Sequence, residues 1–248
     1  MASTASPVAP DLEQKIKSGV APLRAGEGTS FLLRRLHSLS GVVPIGAFLV
    51  EHFISNAEAF KGPVAYAKQV EFLNSLPGVF LLELFFIWIP ILYHGFYGLY
   101  IWYRGDTNVA EYPWSGNWLY TAQRWTGIIA FIYIAQHTYS LRFTGVHLAT
   151  DPMQSFAKVQ AQFHNPWMIG FYAVGIIAAS WHFSYGLWLF AAKWGITTGE
   201  RARRRFGYLC LALALGLVSI GAVSMYGFLS SPRQPLDSNS DSQNIVMR

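Results

Sequence analysis

Two segments decide how this chain is read: YHGFYGLYIW, residues 93–102, and WHFSYGLWLF, residues 181–190. Both carry His-x-x-Tyr-Gly-Leu, and their histidines, His94 and His182, stand 88 residues apart. Each lies inside a long apolar run. An imidazole at such a place is costly unless something there uses it.

Around these segments the chain is 52% hydrophobic and only 12% charged, where a soluble domain carries about 25% charged residues. Five stretches reach the roughly 20 apolar residues that a membrane helix needs: about 31–54, 78–103, 121–144, 165–191 and 206–229. The fold class expected is all-α: an integral membrane five-transmembrane-helix bundle, with a four-helix core and a fifth helix packed outside it. Residues 1–30 read as an N-terminal cytoplasmic tail with a short helix at DLEQKIKSG, and not as a secretory signal, because no apolar core follows a basic start. Residues 31–230 form the membrane domain, and 231–248 a polar C-terminal tail.

Lys and Arg in the loops set the orientation. With the N-terminus inside, the inner face holds Lys15, Lys17, Arg24, Arg34, Arg35, Arg104, Arg124, Lys193, Arg201, Arg203, Arg204 and Arg205. The outer face holds Lys61, Lys68, Arg142, Lys158, Arg233 and Arg248. Twelve against six predicts N-in, C-out; the membrane expected is the inner (cytoplasmic) membrane of a bacterium. The run ERARRR falls in the inner loop before the fifth helix, so the net charge of +5 is a membrane signature and no nucleic-acid partner is expected. The single cysteine, Cys210, excludes an internal disulfide and a thiolate-held iron–sulfur cluster, and reads as packing.

Of seven histidines, four lie well inside the predicted spans, one per helix: His52, His94, His137 and His182. At 1.5 Å rise per residue, His94 is about 15 Å from Arg104 and His182 about 16 Å from Lys193. His52 lies about 25 Å past Arg35, and His137 about 20 Å past Arg124. The four therefore sort into an inner pair, His94/His182, and an outer pair, His52/His137. Zinc takes four ligands, and none of the four has a second histidine within a helical turn. An apolar macrocycle whose iron accepts one imidazole from each of two helices fits both pairs: two bis-histidine haem b groups. Small residues are expected to line the haem faces, because a flat ring needs close helix approach. Gly98 and Gly186 follow their histidines by one turn, and Gly41, Gly46 and Gly127 serve the other two helices. The halves repeat here too. RRLHSLSGVVPIGAFLVEH (34–52) and AQRWTGIIAFIYIAQH (122–137) each place an Arg, then a Gly, then a His ten or eleven residues beyond the Gly.

With those stretches, together with PILYHGFYGLYIW (90–102), NWLYTAQRWTGIIAF (117–131) and WHFSYGLWLFAAKWGIT (181–197), the chain resembles the di-haem cytochrome b membrane anchors of succinate dehydrogenase, in their one-subunit, five-helix class. The resemblance covers helices one to four. It implies axial ligation of iron by the four histidines in the same pairing. It also implies a flavoprotein subunit and an iron–sulfur subunit docked on the inner face, surrounding membrane lipid, and delivery of electrons to a quinone, menaquinone in this class, near the outer side. A homo-oligomer of the whole complex is left open. The related quinol:fumarate reductase anchors share the architecture and run the reverse reaction; a haem-free transporter or assembly protein is the rival from another class.

Haem propionates want donors near the surface. Arg35, His37, Ser38, Tyr120, Gln123, Arg124 and Lys193 are available on the inner side. Of these, Lys193 and the His37–Ser38 step sit where similar anchors bind inner propionates. Arg142, five residues past His137, has the height for the outer ones. Quinone reduction consumes protons, and the carboxylates on or near the outer side are Glu51, Glu58, Glu71 and Glu83. Glu51 is adjacent to His52 and points about 100° away from it around the helix.

Overall fold

The computed structural model describes residues 27–105, 107–147 and 150–236. The short helix expected at DLEQKIKSG and the end of the C-terminal tail lie outside these residues. Residues up to Leu36 belong to one compact unit, and those from His37 onward to a second. The second unit contains all four histidines predicted as ligands.

All regular structure among the described residues is helical. The first run is α1 (Glu27–Val42) and α2 (Pro44–Asn56), extended by a 3-10 turn, Ala57–Lys61. Pro44 divides α1 from α2 because it lacks the N–H that would continue the ladder. A helix not foreseen from sequence follows, α3 (Pro63–Asn74), led by Gly62 at φ 101°, a conformation that favours glycine. The second run is α4 (Val79–Leu82), a π-helical stretch (Glu83–Trp88) and α5 (Ile89–Arg104). The π stretch lies just before Pro90, which has no N–H to give to residue 86; the wider turn takes up that fault.

The third long helix, α6 (Ser115–Thr138), runs into a second π stretch, Tyr139–Phe143. It starts six residues earlier than expected, because its first turns are too polar to count as an apolar run. A further unforeseen helix, α7 (Ser155–Gln162), precedes α8 (Pro166–Lys193), whose N-cap Asn165 accepts a hydrogen bond from the Trp167 N–H at 3.0 Å. The last, α9 (Glu200–Ser230), also starts six residues early. ERARRR was expected as loop, yet it forms the first turns of α9: Glu, Ala and Arg are helix formers, and Glu200 complements the helix N-terminus.

Four helical stretches among the described residues are long and apolar enough to cross a membrane: Ser30–Lys61, Val79–Arg104, Pro166–Lys193 and Glu200–Ser230. α6 is long enough but less apolar, since Gln123, Arg124, Gln136 and His137 interrupt it.

The packing is intimate where glycines fall. A Cβ at Gly95 would meet Phe131, joining α5 to α6, and one at Gly175 would strike the Tyr133 ring, joining α6 to α8. A Cβ at Gly221 would lie 2.6 Å from Ile176 and 3.3 Å from Phe53, so α9 beds against α8 and α2. The largest buried cluster sits at the far end of these helices from Lys193. There Ala59, Tyr66, Phe156, Val159, Phe163, Tyr172 and Phe228 bring α3, α7, α8 and α9 together. Lys158 is buried in this region, and its ammonium donates to the Thr144 and Val146 carbonyls at 2.5 Å each. Gln160 donates to the carbonyls of Phe228 and Ser231 at 3.1 and 3.0 Å and accepts from the Gln234 N–H at 2.9 Å. Residues 231–234, expected as free tail, are thereby held.

Candidate functional site

The four span histidines meet in the two pairs that depth assigned. The rings of His94 (α5) and His182 (α8) lie 6.1 Å apart, centroid to centroid, at 83°. Those of His52 (α2) and His137 (α6) lie 5.7 Å apart at 85°.

The inner pair is held by backbone. His94 Nδ1 lies 2.9 Å from the His37 carbonyl, and His182 Nδ1 lies 3.0 Å from the Gln123 carbonyl. A carbonyl only accepts, so each Nδ1 carries the proton and each Nε2 is left with a free lone pair. The Gln123 side chain returns the bond, donating from Nε2 to the His182 carbonyl at 2.9 Å. The same geometry recurs in both halves of the chain. A Cβ on Gly41 would collide with the His94 ring, and one on Gly127 would stand 2.7 Å from His182 Cε1. A Cβ on Gly98 would lie 3.2 Å from His37 Nε2, and one on Gly186 3.3 Å from Gln123 Nε2. The glycines named from sequence are thus where one helix receives the imidazole or amide of another. Gly46 differs, since a Cβ there would meet Phe183.

The other inner residues separate into two groups. His37 stacks on His94 at 4.1 Å, and its buried Nε2 has no partner, as is also true of Gln123 Oε1. Ser38 accepts from the Trp194 indole at 3.0 Å, and Lys193, in the last turn of α8, lies within electrostatic reach of His37. Arg124 and Tyr120 are engaged in structure. Arg124 donates to the Tyr120 hydroxyl at 2.8 Å, to the Gly105 carbonyl at 2.6 Å and to the Trp102 carbonyl, so it caps the end of α5. Arg35 lies over the Phe31 ring at 4.9 Å.

The outer pair is held differently. His137 Nδ1 lies 3.3 Å from the Tyr172 hydroxyl, a contact not foreseen. A small cavity reaches this pair, lined by His52, Asn56, Tyr133, His137 and Tyr172, with Ser224 and Phe228 supplied by α9. α9, which carries no histidine, thus contributes to this wall. Asn56 donates to the His52 carbonyl at 2.8 Å and accepts from Tyr66 at 3.1 Å. Burial, with Tyr172 nearby, pushes the Tyr66 phenol well above its ordinary range, so it stays a donor.

Arg142 does not stand free at the outer height. It pairs with Glu83 at 2.6 Å, and both residues lie on the π stretches. Glu58 pairs with Lys61 at 2.7 Å, and Glu71 is exposed. Glu51 accepts from the Ser55 hydroxyl, which in turn accepts from Gln69 at 2.9 Å. The four carboxylates are therefore not equivalent. Glu51 alone among them is bonded to a hydroxyl inside a membrane-length helix.

Residues 107–221 match the family described as the transmembrane subunit of succinate dehydrogenase/fumarate reductase. Over 199 residues, 80% of its length, the chain is 38% identical to the succinate dehydrogenase cytochrome b558 subunit of Bacillus subtilis (strain 168), of which 97% is covered.

Proposed function

The chain belongs to the succinate dehydrogenase cytochrome b family, the membrane subunit of that complex, and from this premise we propose that it carries two haem b groups and passes electrons from the complex's iron–sulfur subunit to menaquinone. The observation that carries the reading is the meeting of four histidines in two pairs, 6.1 and 5.7 Å between ring centroids. Two imidazoles bound to one metal ion through nitrogens at about 2.1 Å stand about 6 Å apart, so the spacing of both pairs fits.

The donor chemistry fits as well. His94 and His182 would hold the inner haem iron through Nε2, because the His37 and Gln123 carbonyls hold their Nδ1 protons, the outer-sphere arrangement that fixes a metal-binding histidine. Gly41 and Gly127 leave room for the inner rings against α1 and α6. His52 and His137 take the same role at the outer level. His37 Nε2 and Lys193 are the inner polar groups suited to propionates, with Ser38 beside them; Arg124 and Tyr120 are committed to capping α5. When bound, haem supplies reversible one-electron chemistry. The chain's part is to orient it, to keep water away with the α3–α7–α9 cluster, and to present protonatable groups to the quinone, with Glu51, held by the Ser55 hydroxyl, and Glu83, paired with Arg142, the carboxylates offered for that role.

In this reading α6 is the remaining crossing, placed between α5 and α8. The N-terminus faces the cytoplasm of a bacterial cell, and the flavoprotein and iron–sulfur subunits dock on the face that bears Arg201, Arg204 and Arg205. A reduced-minus-oxidised spectrum of the purified complex should show two b-type components. His94→Ala and His182→Ala should each remove the same one, and His52→Ala and His137→Ala the other. A complex without b-type bands would end the reading. The reverse direction, quinol to fumarate, shares this geometry, and assays of both directions on one preparation decide between them.

A further inference from the structure

The echo between the halves allows each outer histidine to be compared with its counterpart. Inner histidines donate to carbonyls of the neighbouring helix, His94 to residue 37 and His182 to residue 123. No side-chain substitution can delete those acceptors. At the outer level His137 Nδ1 meets a side chain, the Tyr172 hydroxyl, and the two halves differ. Tyr172 lies ten residues before His182; the residue ten before His94 is Leu84. One half thus brings a hydroxyl to that register, and the other half brings a hydrocarbon within the π stretch.

We propose that Tyr172 is a positioning residue for the outer haem: it accepts the Nδ1 proton of His137, fixes that ring, and sets the reduction potential of the outer haem independently of the inner one. The proposal rests on the reading that His52 and His137 ligate a haem. Tyr172 is 4% exposed, and its hydroxyl oxygen lies 3.3 Å from His137 Nδ1. Iron on Nε2 leaves Nδ1 as an N–H, so the phenol oxygen must accept. Ser140, one turn beyond His137, is bonded to the same residue, its hydroxyl donating to the His137 carbonyl at 3.2 Å. A bond from Nδ1–H raises the basicity of the ligand and favours ferric over ferrous iron. The bond to Tyr172 therefore lowers the outer potential, and losing it raises that potential.

Tyr172 is also a packing residue, edge-on to Phe163 with centroids 4.9 Å apart, and Tyr172→Phe keeps that ring in place. The test is redox titration and low-temperature electron paramagnetic resonance of the purified complex. In Tyr172→Phe, one haem should titrate at a higher potential with a shifted low-spin signal, and the other should stay where it is. The displaced component should be the one lost in His52→Ala. Two unchanged haems, or two that move together, would overturn the proposal. Phe156→Leu serves as the packing control. Its ring is fully buried in the same cluster but is not among the residues that line the histidine cavity, and it should move neither potential; if it reproduced the Tyr172→Phe shift, the proposal would fail. Should Tyr172→Phe not assemble, 3,5-difluorotyrosine at position 172 keeps the hydroxyl and weakens it as an acceptor. The same single upward shift is expected, and its absence counts against the proposal. A wild-type complex with fewer than two b-type haems would remove the function reading itself, an outcome distinct from two haems that ignore residue 172.

Discussion

The inner and outer histidine pairs are held by different means. At the inner level a carbonyl of one helix holds an imidazole of the next, and the arrangement appears twice, once in each half of the chain. At the outer level a phenol holds His137, and the surroundings come from α3, α7, α9 and residues 231–234, which have no counterpart at the inner level among the described residues. Backbone contacts follow from the helix path, so they repeat wherever the path repeats. Side-chain contacts depend on single positions and let two otherwise equivalent sites diverge.

The strongest challenge to this contrast is a bulky residue at the inner close approach. Gly127→Leu places carbon where the His182 ring stands, and it should abolish the inner b-type component while the outer one persists. Loss of both components in the difference spectrum would mean that the two levels do not assemble separately. Lys158→Met should come next. It leaves the Thr144 and Val146 carbonyls without their charged donor, at a cost of about 3 kcal/mol. Thermal unfolding in detergent should show a lower midpoint, with the outer haem bleaching first; simultaneous bleaching would contradict a separately supported outer level. Gln160→Leu is expected to cost about 2 kcal/mol and to open the chain after Ser231 to protease, read by mass spectrometry of the trimmed product. The smallest effect is expected at Glu83 and Arg142. Their side chains are 22% and 43% exposed, so a double-mutant cycle should give a coupling below about 1 kcal/mol. A much larger coupling would place this pair among the supports of the outer site.

What the sequence disclosed follows the same division. The pairing of the four histidines was legible because helical rise and a repeated motif determine it, while the glycines at 41, 98, 127 and 186, expected at haem faces, stand where an imidazole or amide of a neighbouring helix approaches. α3 and α7 were not, since neither PVAYAKQVEFLN nor SFAKVQAQ has the length or apolarity by which the chain's other helices declare themselves. The π stretches arise from the backbone accommodating its neighbours and leave no periodic trace. α6 shows a conflict in the signal. Gln123, Arg124 and His137 fasten other helices or face His52, and these same residues lower its apolarity below that of a membrane span. Tyr172 looked like any tyrosine in an apolar run. Its signal was the mismatch with Leu84 when the halves are superimposed, visible only once the outer register is known.

Gln160 gives the order of chain synthesis a structural meaning. Its amide is buried between α7 and the end of α9, and its partners, Phe228, Ser231 and Gln234, are among the last described residues to be made. Until the end of α9 is made, that amide has none of these partners. A nascent chain stopped short of residue 228 would therefore carry an unmet polar group where the finished protein has a closed clasp.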